Sequence, residues 1–382
     1  RHSYEDQFRP TLVSGTTRHD FDAGGLTDTM QSVTIPAQTQ VIFVLQWDEP
    51  FFSVSGSPGS ASDLDIILYS MQGVGLAGGI DNNVGGDPVE VFAYENKSGQ
   101  AKNYQLRITQ NAGPAPGRVK YVYFGDLTVN EYATNSAALY GHPNAAGAAA
   151  VGAARYSHTP AFGVDPPLLE YFSSAGGTLI LRDASGAAIV ELRQKPDIVA
   201  PDGGDNTFFG NDYESNGWPN FFGTSAAAPH AAGVAALMIS LDPSLTPAQI
   251  HSAMQGTAID MDAAGVDFNS GSGLIQADQA LASLIDPLAV TTESLPAGRI
   301  GVYYLQSLAA EGGFGSYSWS RLDGDLPPGV TLESNGVLSG TPGENLLSPY
   351  IFTARVIDTL NNSSTRVFSI DVASPRTCGS CH

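Results

Sequence analysis

Phe221-Phe222-Gly223-Thr224-Ser225-Ala226-Ala227-Ala228-Pro229-His230-Ala231-Ala232-Gly233-Val234-Ala235-Ala236-Leu237-Met238 reads as a sharp turn that delivers a hydroxyl to the start of a helix. From Ala226 to Leu241 nearly every residue is small or apolar on all faces, the pattern of a helix packed inside a domain. Pro229 is expected in the first turn, where N–H groups have no intrahelical partner. Gly223 permits the backbone angles of a tight turn. Ser225 is then expected where backbone N–H groups and the positive end of the helix dipole converge, a place suited to an oxyanion. A bare Gly-Thr-Ser is equally the signature of Thr224 or Ser225 capping a helix.

The longer run from Gly223 to Gly233 resembles the nucleophile motif of the subtilisin-like serine proteases (subtilases), and Ser225 falls on their nucleophile. Phe222 stands where the family has Ser, and Ala226-Ala227-Ala228 stands for the usual Met-Ala-Ser. The resemblance implies an acyl-enzyme on Ser225, with the turn Gly223, Thr224 and Ser225 presenting it and the Ser225 N–H as one oxyanion donor. A serine needs a histidine base and a carboxylate that orients it. The family places these in the order Asp, His, Ser, yet neither Asp-Ser/Thr-Gly nor His-Gly-Thr-His occurs here.

The seven histidines do not replace that base. His230 follows Ser225 on the same helix, about 7.5 Å along the axis and about 140° around it, which is out of reach; packing is its expected role. His2, His19, His142, His158, His251 and His382 lack the flanking residues of a catalytic base. The family's oxyanion Asn has one nearby candidate, Asn135, without the preceding Gly. The expectation is instead that Asp, His and Asn lie upstream of Arg1, so that the chain holds the C-terminal half of a catalytic domain and is inactive alone.

With 17 Lys plus Arg against 38 Asp plus Glu, the net charge of -21 repels phosphate backbones and argues against nucleic acid or an anionic membrane as partner. It suits an extracellular, bacterial-type secreted protein. No apolar run reads as a membrane span.

The fold class expected is a partial subtilisin-like α/β parallel-sheet domain with an inserted all-β sandwich and a C-terminal immunoglobulin-like β-sandwich. Residues 1–8 read as a stub of the catalytic domain and 9–125 as the insert. Runs at 32–36, 41–47, 64–69 and 104–108 alternate as strands between Gly, Pro, Asn and Asp. Their order, with Asp63 and Asp65, resembles the pre-peptidase C-terminal sandwiches of secreted bacterial peptidases. Asp63, Asp65, Asp81 and Asp87 can supply oxygens to Ca²⁺ or be solvated loop and strand-edge carboxylates. The second reading is preferred, because the ligand spacing of a known calcium loop is absent.

Residues 126–286 carry the α/β texture, with small-residue runs expected as buried parallel strands. Thr246-Pro247-Ala248-Gln249 is a capping box with Pro in the first turn, opening a helix that buries Ile250, Ala253 and Met254 and ends at Gly256. Residues 289–374 hold Leu326-Pro327-Pro328-Gly329 and Leu338-Ser339-Gly340-Thr341-Pro342, which resemble the immunoglobulin-like modules of bacterial surface proteins.

In the tail, 375–382, Cys378-Gly379-Ser380-Cys381-His382 matches the c-type haem attachment motif. A terminal thiol pair, a redox disulfide and half a zinc site compete with that reading. Three functions follow: a secreted serine endopeptidase acting on protein or peptide substrates, a non-catalytic scaffold whose β-modules hold a cell surface or polymer, and a protease fused to a c-type cytochrome. Peptide specificity is not legible, and catalysis requires no cofactor.

Overall fold

The structure, a computed structural model, describes residues 2–208, 210–344 and 346–375. It divides into two units, one reaching to Ala277 and one beginning at Asp278.

Period-2 alternation builds the amino-terminal part of the first unit as two sheets. One orders β1 (Ser3–Gln7), β10 (Arg118–Phe124), β5 (Thr39–Trp47) and β8 (Val89–Asn96) as antiparallel neighbours. The other gathers β2 (Pro10–Val13), β3 (Thr16–His19), β4 (Gln31–Ile35), β6 (Asp63–Ser70), β7 (Gly75–Gly79), β9 (Lys102–Ala112) and β11 (Thr128–Val129). A short helix, α1 (Phe52–Ser55), follows β5. Val41, Phe43 and Leu45 on β5 and Leu64, Ile66 and Leu68 on β6 are fully buried, every second residue facing inward.

Two boundaries differ from expectation. Within residues 1–8, expected as a stub of the α/β domain, Ser3–Gln7 join the sandwich instead: β1 pairs with β10, and buried Tyr4 stacks on Tyr121. Beyond 125, β11 pairs with β4, and Glu131 accepts the Ser32 N–H at 2.8 Å. Both ends are too short to show a period, so only pairing reveals them.

The α/β part centres on a parallel pair, β12 (Val151–Arg155) and β15 (Ile198–Asp202), with Ala153, Ala154, Val199 and Ala200 buried. Between them in sequence lies a hairpin of β13 (Leu179–Arg182) and β14 (Ala188–Leu192). Its Arg182 guanidinium donates to the Asp48 carbonyl at 2.7 and 3.0 Å. Short strands β16 (Gly204–Asp205) and β17 (Asn220–Phe221) pair just before α2 (Thr224–Leu241), which packs on β12 and β15.

α2 departs from its expected burial. Only one face is covered, by way of Ala226, Ala227, Ala231, Val234 and Met238, while Leu237 and Ile239 are 55% and 46% exposed. An all-apolar composition says that a helix can be buried; its neighbours decide how much is. This 18-residue helix, of mean hydropathy 1.3, is also long and apolar enough to cross a membrane by length and composition, contrary to the expectation of no such run. Because α2 starts at Thr224, Pro229 falls in the second turn, where its missing N–H leaves a carbonyl without its usual donor. α3 (Pro247–Gly256) forms as expected: Thr246 and Gln249 complete the capping box, and Ile250 and Met254 are buried.

The second unit begins within α4 (Ala277–Ala282). Its strands are β18 (Ala289–Val290), β19 (Gly298–Arg299), β20 (Tyr304–Ser307), β21 (Ala310–Glu311), β22 (Ser318–Gly324), β23 (Val330–Leu332), β24 (Val337–Gly340), β25 (Tyr350–Ile357), β26 (Ser363–Ile370) and β27 (Val372–Ala373). Two three-stranded antiparallel sheets, β20-β24-β23 and β22-β25-β26, share a core of Trp319, Leu338, Tyr350, Phe352, Val356, Phe368 and Ile370. Leu-Pro-Pro-Gly and Leu-Ser-Gly-Thr-Pro meet at the open end of the β23–β24 hairpin: Gly329 and Gly340 have φ of +91° and +140°, and their backbones touch too closely for a Cβ.

Candidate active site

The turn before α2 is held from below. Gly223 is the N-cap residue with φ +122° and ψ 159°, a conformation for glycine. Its N–H donates to Asp202 Oδ2 at 2.7 Å, at the end of β15. Asp202 is fully buried, and burial foremost raises its carboxyl above the usual range, opposed by the Gly223 bond and by Arg155. Arg155 lies over the Phe222 ring at 5.1 Å. Asn220, also buried, donates to Gly203 O and Asp205 Oδ1, both at 3.1 Å, which locks β17 onto β16. The strand leading into the turn is thus fixed on both sides.

Neither Thr224 nor Ser225 makes a side-chain cap bond, and Ser225 is exposed. The first helical donors, Ala226 N–H and Ala227 N–H, both turn back to Gly223 O at 2.8 and 3.2 Å. Ser225 and Thr224 line a cavity of about 480 Å³ whose other walls are Leu139, His142, Ala148–Gly152, Ser173 and Pro196.

That opposite wall has its own supports. Asp197 Oδ2 accepts the Ala150 N–H at 2.7 Å and the Lys195 ammonium at 2.8 Å, and the same ammonium bonds the Ala148 carbonyl. Ser173 Oγ accepts the Ala153 N–H at 3.2 Å. Gly152 packs tightly here, since a Cβ would lie 3.0 Å from Ser173 Oγ and 3.2 Å from Val199, and both side chains would have to give. The Lys-Pro-Asp segment therefore shapes the cavity through backbone bonds that its sequence does not advertise.

The sequence candidates scatter. His230 does not pack in the core but lies exposed, its Nδ1 2.8 Å from Ala226 O, one turn back. His142 shares the cavity wall with Ser225, a neighbourhood that sequence reasoning passed over. His19 is buried in the sandwich between Tyr4 and Arg9, and His2 stacks on Tyr123. Asn135, flanked by residues that bond to β1, is not among the residues that line the cavity. Asp87 Oδ1 accepts the Ser53 N–H at 2.8 Å, while its carbonyl accepts from Asn83, whose own N–H bonds Asp63. Among the described residues no group of three or more His, Cys, Asp or Glu is placed to hold a metal ion. Cys378, Cys381 and His382 lie outside the described residues.

Comparison with known proteins finds similarity on both sides of Asp278. The subtilase family model matches residues 89–273, beginning within the sandwich at β8 and running past α3, and an Ig domain model matches residues 285–373. Alkaline elastase YaB of Bacillus sp. is 44% identical over 85 residues, covering 22% of this chain and 20% of its own. Subtilisin DY of Bacillus licheniformis is 40% identical over 68 residues, covering 18% and 24%. The solved structure of fervidolysin from Fervidobacterium pennivorans aligns over 60% of this chain and 36% of its own, at 17% identity and a TM-score of 0.26. The chain thus spans no more than about a quarter of the curated relatives it matches. Residues 89–273 are thus similar to the subtilase family, and the stretch that follows them is similar to an immunoglobulin-like domain.

Proposed function

We propose that this chain supplies the nucleophile of a secreted serine endopeptidase, which hydrolyses peptide bonds through an acyl-enzyme on Ser225. What carries the reading is one arrangement: an exposed serine on the first turn of α2, next to a glycine N-cap and open to a cavity that His142, Ala150, Gly152 and Ser173 also line. Ser225 Oγ attacks the carbonyl carbon. Its own N–H, at a helix start with no side-chain cap, is free to receive the developing oxyanion. The base and its orienting carboxylate come from elsewhere in the protein, since His230 faces back along its helix.

The test is covalent labelling of the whole protein with a fluorophosphonate. The label is expected on Ser225, with labelling and proteolysis both abolished in Ser225→Ala. Unchanged peptide hydrolysis in that variant would remove Ser225 as the nucleophile, and a whole protein with neither label nor hydrolysis would return the chain to its rival reading, a protease-like scaffold whose β-modules bind a surface or polymer. A c-type haem at Cys378 and Cys381 would add an electron-transfer domain, and haem-stained denaturing electrophoresis of the exported protein decides it.

A further inference from the structure

A second cavity, of about 400 Å³, lies between the outer face of the sandwich and the β13–β14 hairpin. On the sandwich side its walls include Val44 of β5 and Val122 of β10, direct partners across the two strands. Successive side chains on a strand point to opposite faces, so these two face away from the core side chains Phe43, Leu45 and Tyr121. Leu179 and Leu181 of β13 line it from the hairpin, and Phe51 and Val54 at α1 add further apolar surface. The hairpin is pinned in place. Arg182 bonds the Asp48 carbonyl, and a Cβ on Gly186 in the turn would come 2.9 Å from Ser55 Oγ and 3.2 Å from Pro50 Cβ.

Each charged group on the walls already has a partner. Lys120 and Arg118 share Glu5 at 3.1 and 3.6 Å. Asp48 accepts the Gly117 and Arg118 N–H groups, Asp183 those of Ser185 and Ala187, and Glu49 those of Ala61 and Ser62. A charged ligand would have to break into these pairs, whereas an uncharged apolar group need only displace water. Apolar walls and a volume within about 300–1,000 Å³ are the usual features of a ligand site.

Tyr140 joins this cavity to the nucleophile, because it lines both this space and the one that Ser225 lines. Its surroundings are fixed. The Ala138 and Leu139 N–H groups both donate to Ala175 O at 3.0 Å, and Thr178 Oγ1 donates to Leu139 O at 2.6 Å. Thr178 itself lines the second cavity, directly before β13. A single residue, 45% exposed, is therefore the shared wall of the two spaces.

We propose that the second cavity is a substrate subsite, which takes a bulky uncharged side chain of the same peptide whose scissile bond lies at Ser225. The inference rests on the peptidase reading and extends it to a substrate class: peptides with a large apolar residue at one fixed distance from the cut. The sandwich thereby supplies part of the substrate site, with Val44 and Val122 as specificity-determining residues.

The experiment uses the whole protein carrying Ser225→Ala, so that no bond is cut, and short fluorescein-labelled Ala-Ser peptides in which one Phe moves through every position. Fluorescence anisotropy should find a position where Phe tightens binding by about tenfold. Val122→Trp and Leu181→Trp, which fill the cavity from its two walls, should each abolish that gain. Gains at positions read by the Ser225 cavity should persist in both. If the filled variants fail to fold, the exposed Val54→Asp takes their place and is expected to cut the same gain severalfold. No gain from Phe at any position, or gains equal with the cavity filled and unfilled, overturns the subsite. Fluorophosphonate labelling of the protein with Ser225 intact tests the peptidase reading separately. Label on Ser225 without a filling-sensitive position removes the subsite alone; a filling-sensitive position without label upholds the cavity as a peptide site and removes the nucleophile.

Discussion

Ser225 was legible because its neighbours are small and ordered in a long motif; Asp202 was not, because an Asp in Ala-Pro-Asp-Gly looks like any turn residue. Only the fold brings its carboxylate under the Gly223 N–H, twenty-one residues on in sequence. A carboxylate–amide bond in a buried site contributes about 1.5–3 kcal/mol. If it holds the turn in its reactive shape, Asp202→Ala should slow fluorophosphonate labelling of Ser225 in the whole protein by about tenfold or more. Asp202→Asn, which keeps an acceptor for Gly223, should recover most of that rate. Equal labelling rates in Asp202→Ala and the parent protein would show that the turn holds its shape without this bond.

Among elements, α2 and α3 differ in how much their own residues decide. α3 carries its start signal entirely within Thr246-Pro247-Ala248-Gln249: Gln249 Oε1 accepts the Thr246 N–H at 2.9 Å, and Thr246 Oγ1 accepts the Gln249 N–H at 3.4 Å. Thr246→Ala removes that acceptor, so chemical denaturation should show a loss of about 1 kcal/mol, with Thr246→Ser close to the parent. A loss below about 0.3 kcal/mol would mean that Pro247 alone sets the helix start. α2 has no such local device. Its start depends on Gly223, on Asp202 and on the β16–β17 pair, all settled by contacts distant in sequence.

The two units have separate apolar cores, one around Phe43, Ile66 and Tyr121, the other around Trp319 and Phe352. Calorimetry should therefore resolve two transitions with different acid responses. In the sandwich, burial first and Arg9 second lower His19 from 6.5 to about 4, against Asp6 and Asp20, which raise it. A neutral, buried His stabilises the fold above pH 6.5, and that contribution, up to about 3 kcal/mol, is lost as pH falls toward 4. Glu90 acts with the opposite sign across much of this window, since a raised carboxyl favours the folded state at lower pH. The measurement is thus the Tm difference between parent and His19→Gln, which should shrink from pH 7 to pH 4 in the sandwich transition alone. In the second unit burial raises Asp358, but bonds from Asn362 and from the Phe314, Asn362 and Leu360 backbones hold it below the usual range. Its contribution fades only at more acid pH, so a parallel loss in both transitions would rule out His19 as the cause.

Patterns with a short period were decided within the sequence: the alternation of β4, β5, β6, β9, β25 and β26, and the capping box of α3. Each depends on residues within a few positions of one another, where backbone geometry alone dictates which side chains share a face. Tertiary structure decided what depends on distant partners. It recruited Ser3–Gln7 into the sandwich, left one face of α2 open, placed Asp202 beneath Gly223, and bonded the Asn83 N–H to Asp63. Burial and hydrogen bonding are properties of what surrounds a residue, and for these residues the surroundings come from chain that lies far away in sequence.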